Sequence, residues 1–524
     1  MMPSCFSQLV LRQVLACGIL TLTACTTLGP DYQEPKVDWL KQWQPSVYGA
    51  SGNQPVQKQV DLRFWWKLFN DPALNKLIDV AREENLPLRI AGLRIFESKA
   101  LLGIAGSSLY PQVQTASGAI NYVNTRYHGG DAPPENQSFG SYQAGFNMAW
   151  ELDFWGRFRR GIESADAAYL ASVANQQDMQ VLISAQVADV YYAYRTTQAR
   201  IAIANDNAKI QKRSYEITTE LFENGETSEL DLQQAKTQYL ATLSTIPQLE
   251  ITLTQTRNAL AALLGRPPGK IPELAASGYK LPAVASSTMR KIPAYLLTRR
   301  PDIRAAAWQI AAQSAQIGIA EADYYPAITL LGTLGWSGNS LSGNPNSGNL
   351  VVGPALQWNI FDYGRIKNNV RLQDARLQQL IEQYQESVLQ AAREVDDAAV
   401  SIEKTVEQQA LTDAAVKSSQ RALDLANTRY REGYADFQRV LDAQRALFSQ
   451  AEGQLLNQGN HIAAVISLYK GLGGGWIDMP AEQLIPQDVR ETMQKRSNWG
   501  DLLISPESEM QKYPVSAKEI SPDE

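Results

Sequence analysis

Residues 150–158 read WELDFWGRF, and residues 358–366 read WNIFDYGRI. The same aromatic corner, closing on Gly-Arg, is written twice, 208 positions apart. Sliding the chain along itself by 208 places Trp150 on Trp358, Gly156 on Gly364, Arg157 on Arg365, Gly225 on Gly433, Ala235 on Ala443, Leu260 on Leu468 and Gly265 on Gly473, with no gap. A lost residue would turn a helix's apolar stripe by about 100° away from its neighbour. Gap-free spacing therefore marks two long units packed in equivalent ways. Upstream, Tyr110-Pro111 matches Tyr325-Pro326 at an offset of 215. The copies thus differ by seven residues, which are assigned to a loop.

Just before the first corner, FGSYQAGFNMAWEL alternates strictly. Tyr142, Ala144, Phe146, Met148, Trp150 and Leu152 share one face, while Ser141, Gln143, Gly145, Asn147 and Glu151 share the other. The second copy repeats the pattern with Ile328, Leu330, Leu334 and Trp336, then Val352, Leu356, Trp358 and Ile360 opposite Gln357 and Asn359. Period two with one apolar face describes a strand between lipid and water, and equally a soluble sandwich with one wet face. Aromatics near the strand ends and the N-terminal signal described below favour the membrane. Four strands cannot close a barrel, since the smallest membrane barrels have about eight. Open edges in lipid leave backbone groups unpaired, so the chain is expected to oligomerise: two copies give eight strands, three give twelve.

After each corner the composition turns helical. Residues 157–224 and 365–432 contain no proline and are rich in Ala, Gln, Glu, Arg and Leu. Val388, Ala392, Val395, Ala399, Ile402 and Val406 step by four and three, a coiled-coil seam, and Val187, Tyr191 and Tyr194 hold part of that register. A helix of this length reaches roughly 100 Å. Gly225 and Gly433 suit the left-handed position past a helix C-terminus, so each rod turns back into a second helix, 228–264 and 436–472. Helices at 73–109, interrupted at Pro87, and 302–324 precede the strands.

The chain has 524 residues and a net charge of -6, with both signs spread along it and no basic block. Nucleic-acid binding has no electrostatic footprint here. Arg12, the apolar run VLACGILTL and then LTAC read as a signal peptide, 1–24, too short to span a membrane. Leu22, Thr23, Ala24 and Cys25 resemble the bacterial lipoprotein box, which implies N-acyl and S-diacylglycerol groups on Cys25 as the only covalent additions. Thr26, rather than Asp, follows the cysteine, and by that resemblance the anchor sorts to the outer membrane. Cys5, Cys17 and Cys25 leave no disulfide framework for the mature chain. Beyond the signal no run of 18 apolar residues occurs, so a membrane crossing must be a β-barrel.

Chemistry is not expected. His128 and His461 are the only histidines, and no nucleophile-base pair or metal cluster is present. The stretch GLGGG at 471–475 lacks the Gly-Lys-Ser/Thr ending of a phosphate loop and reads as a helix stop. No cofactor and no metal follow. Two readings are a passive trimeric porin and a coiled-coil surface lipoprotein; a third, an export duct, is what the resemblance given below implies. Two rods of this length are superfluous in a porin, and four lipid-facing strands are superfluous in an adhesin.

The lipobox followed by GPDYQEP, WWKLFNDPALNKLI at 65–78, the two corners and LYKGLGGGW at 468–476 together resemble the TolC-type outer-membrane efflux family, in its OprM/NodT-like lipoprotein branch. The resemblance implies an α+β membrane protein. In it, a trimeric 12-stranded outer-membrane β-barrel, four strands per chain, is continuous with a 12-helix periplasmic α-helical barrel, plus a small mixed equatorial region. The domains expected are the signal peptide 1–24; an acylated segment 25–72; a first repeat 73–270 with β-hairpin 111–154 and helical hairpin 156–264; an equatorial linker 271–300; a second repeat 301–476 with β-hairpin 327–362 and helical hairpin 364–472; and a loose tail 477–524. The implied partners are two further copies, a periplasmic adaptor and an inner-membrane pump of RND type, with multidrug or small toxic compounds as cargo and metal-ion or protein export as the alternative. Eight methionines and two histidines count weakly against a copper or silver duct.

Family members narrow the periplasmic end just after the second rod's turn. Counted from Gly433, the two acidic ring positions fall on Arg439 and Asp442, and the Leu, Asp and Arg of the lipoprotein branch correspond to Gln438, Asp442 and Arg445. Asp442 and Arg445 share a helical face and can pair. Links between neighbouring hairpins correspond to Asp231 and Tyr430, while a family arginine is replaced by Ala435. The turns at Gly225 and Gly433 are the expected tips for adaptor docking. Three copies of Asp442 around an axis favour cations.

Overall fold

The computed structural model describes residues 27–41, 61–125, 137–275, 281–282, 295–339 and 347–503. Cys25, the signal peptide and His128 lie outside the described residues. The chain divides into two units. One comprises Met1–Pro35, Ile95–Ser172 and Ala305–Tyr384, and the other Lys36–Arg94, Val173–Arg304 and Gln385–Glu524. The longer helices, in chain order, are α1 Pro72–Glu84, α2 Leu86–Ser107, α3 Arg157–Glu223, α4 Glu229–Leu263, α5 Pro301–Ala322, α6 Arg365–Arg431, α7 Phe437–Gly471 and α8 Gln487–Arg496. The strands are β1 Val113–Thr125, β2 Gln137–Glu151, β3 Ala327–Gly338 and β4 Ser347–Gln357.

In the first unit the four strands form one antiparallel sheet in the order β1-β2-β3-β4. Its register sorts the faces. Ile120 lies opposite Tyr142, Phe146 opposite Leu334, Trp150 opposite Leu330, and Ile328 opposite Leu356, which puts the alternating apolar residues of all four strands on one side. That side is open: Ile120, Tyr122, Phe146, Val352 and Leu356 are all exposed. Thr115, Ser117, Gln143, Asn147, Thr333 and Gln357 line the other.

The strands also locate the seven-residue difference. The two hairpins coincide in register when β1 is carried onto β3 by 214, Val113 falling on Ala327, and β2 onto β4 by 208. One of the seven residues therefore lies at the start of β1, between Pro111 and Val113, rather than in a loop. Gln112 absorbs it: its side-chain amide donates to Glu151 O at 3.1 Å and accepts from Glu151 N at 2.7 Å, standing in for a missing backbone rung.

The N-terminal residues pack on this unit. Gly29, at φ +83°, meets Gly318 so closely that a Cβ on either would strike backbone. Thr27 seats against Gly156, and Leu28 N–H reaches Trp155 O at 3.2 Å. Arg160, 4% exposed, donates to Leu28 O, Gly29 O, Asp31 and Glu163.

The corners start the rods with carboxylate caps. Asp153 accepts from the amides of Phe158 and Arg159, and Asp362 accepts from those of Gly364 and Ile366. The two caps are one position out of step: Asp153 precedes its glycine by three residues and Asp362 by two. Both rods have 67 residues and both returning helices 35, with every boundary shifted by 208. In the second unit the seam residues Val388, Ala392, Val395, Ala399 and Ile402 are buried, while Val406 is exposed.

The second unit brings two quoted motifs together. Trp65 stacks on Tyr469 with ring centroids 5.6 Å apart, Gly475 N–H donates to Leu62 O, and Arg82 lies over Trp66 while donating to Gly475 O. Asp71 caps α1 and accepts from the Tyr191 hydroxyl at 2.8 Å. The segment after Trp476, expected to be loose, is held as far as residue 503. Gln180 exchanges hydrogen bonds with Ile477, Gln177 donates to Asp478, and Leu484, Ile485, Met493 and Leu503 are buried. These buried side chains and hydrogen bonds contribute toward offsetting the segment's ordering entropy, which a purely solvated tail cannot do. Among the described residues no helix is long and apolar enough to cross a membrane.

Candidate aperture at the helical turns

Each rod ends in the same backbone device. Gly225, at φ +75°, donates to Phe222 O and Glu226 to Leu221 O; Gly433, at φ +76°, donates to Tyr430 O and Tyr434 to Arg429 O. These paired bonds satisfy the last helical carbonyls, and the left-handed residue between them favours glycine. The rods thus reverse at the predicted positions.

Past the turns the chemistry diverges. Ser228 caps α4: its Oγ accepts from Asp231 N–H at 3.2 Å and donates to the Asp231 carboxylate at 2.7 Å, which Thr227 also reaches at 2.9 Å. Asp231 is thereby tied into its own turn. Tyr430 packs on Phe437 with ring centroids 5.2 Å apart, and burial, aided by the Asp231 charge, holds its phenol above the ordinary range. The predicted pair Asp231 and Tyr430 therefore shares one neighbourhood.

The turn of α7 is anchored differently. Phe437, Val440 and Leu441 are buried with Leu423 and Ala235, and Tyr215, Ala426, Tyr430, Ala443 and Leu447 pack around them, so all four rod helices meet here. Gln444, 2% exposed, donates to Ser214 Oγ at 2.8 Å. With that face committed, the other looks outward. Gln438 donates to Asp442 at 3.1 Å, and Arg445 lies 3.4 Å from the same carboxylate oxygen. The Asp442 and Arg445 side chains are 58% and 50% exposed. Arg439, further out, stands 3.8 Å from Asp436. Gln438, Asp442 and Arg445 form one chain of contacts, whereas Arg439 pairs toward the turn. Phe437, Ser228 and the Gln444–Ser214 bond were missed in the sequence, although the S-x-x-D spacing at 228–231 was there to be read.

Among the described residues no cluster of three or more His, Cys, Asp or Glu side chains could hold a metal. The arrangement offers charge and shape at a helical end. Residues 77–266 and 292–474, the two repeats, match the outer membrane efflux protein family. The chain belongs to that family. Its place is the outer membrane, and the family is one of efflux ducts rather than enzymes. The solvent efflux pump outer membrane protein SrpC of Pseudomonas putida is 33% identical over 473 residues, 88% of this chain and 97% of its own. The cation efflux system protein CusC of Escherichia coli O6:H1 is 30% identical over 469 residues, 88% and 98% of the two chains. The pyoverdine export outer membrane protein OpmQ of Pseudomonas putida is 30% identical over 464 residues, 87% and 96%. Among solved structures, the outer-membrane channel OprN superimposes with a TM-score of 0.76 at 32% identity, covering 86% of this chain and all of that one.

Proposed function

We propose that this chain is the outer-membrane duct of a three-part efflux system. Three copies close their sheets into a twelve-stranded barrel and their rods into a twelve-helix periplasmic tunnel. Lipid on Cys25 anchors each copy. A periplasmic adaptor docks at the Gly225 and Gly433 turns, and an inner-membrane pump of RND type drives the cargo. The observation that carries this reading is the four-stranded sheet with one exposed apolar face, which lipid outside and further copies at its edges would satisfy.

Gln438, Asp442 and Arg445 are assigned to the aperture, with Arg439 beside it and Asp231 and Tyr430 linking neighbouring hairpins. Small toxic compounds are the favoured cargo, and solvent efflux in the SrpC relative supports that class. Metal-ion export is the alternative, favoured by the CusC relative. A deletion strain challenged with dyes, antibiotics, solvents and metal salts separates them. Sensitivity to organic compounds is expected; sensitivity to metal salts alone selects the alternative, and unchanged tolerance throughout sinks the duct. In planar bilayers, Asp442→Asn is expected to lower the preference for cations over anions. An unchanged preference removes Asp442 from the aperture.

A further inference from the structure

The two repeats meet inside one chain along β2 and β3, and that internal joint is a template for the joint between copies. This inference rests on the homotrimer proposed above and deepens it. The outer edges of β1 and β4 have no strand partner among the described residues. β1 is the repeat equivalent of β3, and β4 is that of β2. The pairing β2–β3 within a chain therefore corresponds to β4 of one copy on β1 of the next.

Because the offsets are fixed, the register can be written down. Met148 opposite Gly332 carries over to Leu356 opposite Gly118, Asn147 opposite Thr333 to Ala355 opposite Ala119, and Ala144 opposite Trp336 to Val352 opposite Tyr122. This register keeps like faces together, the even-numbered residues of β4 meeting the even-numbered residues of β1, as with Pro354 opposite Ile120 and Val352 opposite Tyr122. A slip of one residue would set apolar against polar all along the joint. The lone chain also stops short where the template says a partner is needed. β2 runs to Glu151, held by Thr329, and Leu152 N–H donates to Ile328 O at 2.9 Å. The equivalent Asn359 and Ile360 lie past the end of β4. Alternation from that bond points the backbone of Pro354 outward, so the joint lacks one donor, as proline on an edge strand does.

The corner supplies a second contact. Trp155 stacks on Tyr325 at 4.5 Å and donates to Pro326 O at 2.9 Å. The equivalents are Tyr363 and the pair Tyr110-Pro111. Tyr363 is fully exposed in the lone chain and held at φ +53°, a strained conformation for a non-glycine residue, and Tyr110 is 70% exposed.

We propose that β4 of one copy pairs with β1 of the next with Ala355 opposite Ala119, and that Tyr363 closes this joint against Tyr110-Pro111 of that neighbour. The test is disulfide trapping in the full-length protein in outer-membrane vesicles. Ala119→Cys with Ala355→Cys is compared with two shifted pairs on the same face, Ser117→Cys with Ala355→Cys and Asn121→Cys with Ala355→Cys. Directly opposite residues have the Cα spacing a disulfide needs and diagonal ones do not, so the first pair should cross-link at least about tenfold more than either shifted pair. The unsubstituted chain, which retains Cys25, sets the background. Native mass of the same samples gives the oligomeric state independently. A trimer that cross-links through a shifted pair, or through none, overturns the register and leaves the trimer standing; a monomer overturns both. Tyr363→Ala should lower the temperature at which trimers dissociate in detergent while Tyr363→Trp should not, and equal behaviour of the two would remove the corner contact.

Discussion

The two helical turns share a backbone and differ in almost everything attached to it. Glu229, Asp231 and Gln233 in the first turn correspond to Phe437, Arg439 and Leu441 in the second. The first turn closes on itself through Ser228 and Asp231 and leaves Glu229 and Gln233 exposed. The second buries Phe437 and Leu441 and presents Arg439, Asp442 and Arg445 to solvent. Duplication thus preserved the route of the chain and freed the side chains: one turn became a self-contained stop, the other a wedge that braces a charged face.

The hardest test of that contrast is Phe437→Ala, which should cost about 3–5 kcal/mol by emptying the cluster where four helices meet. Glu229→Ala at the equivalent site should stay within about 0.5 kcal/mol. Hydrogen exchange at Val440 and Leu441 measures the first effect, and equal effects at the two sites would erase the distinction. Next in size, Gly225→Ala and Gly433→Ala should each cost about 1–2 kcal/mol, because both force a side chain into the left-handed region. Exchange at Glu226 and Tyr434, whose amides close the two turns, should quicken equally; unequal quickening would mean that the turns do not share a backbone device. Ser228→Ala should cost about 1 kcal/mol. Asp436→Ala should cost less, since Asp436 makes no side-chain cap bond. The smallest effect is Arg445→Gln, below about 1 kcal/mol in stability because its pair with Asp442 is half exposed. Its influence should appear in ion preference instead.

Much of this plan was legible because glycine and spacing carry it. Gly225, Gly433, Gly265 and Gly473 all hold positive φ, and the offset of 208 survives in every rod boundary. Strand faces were legible from alternation alone. The extra residue at Gln112 was not, because a side-chain amide can imitate a backbone rung without altering the pattern of apolar residues. The out-of-step caps Asp153 and Asp362 were hidden likewise, since either position can reach the same free amides. In the candidate site, Gln438, Asp442 and Arg445 came from the family resemblance and only the 442–445 spacing was readable in itself, whereas the bracing by Phe437 depends on three other helices and leaves no local signature. The packed segment 477–503 escaped because its few apolar residues are scattered among charges.

Thr27 seated against Gly156 has one last implication. Two residues of chain span at most about 7 Å, so the lipid proposed on Cys25 would enter the bilayer beside the corner at 150–158. Such a mooring would act less as a leash than as a depth gauge, setting how far the proposed staves sink into lipid before the rods begin.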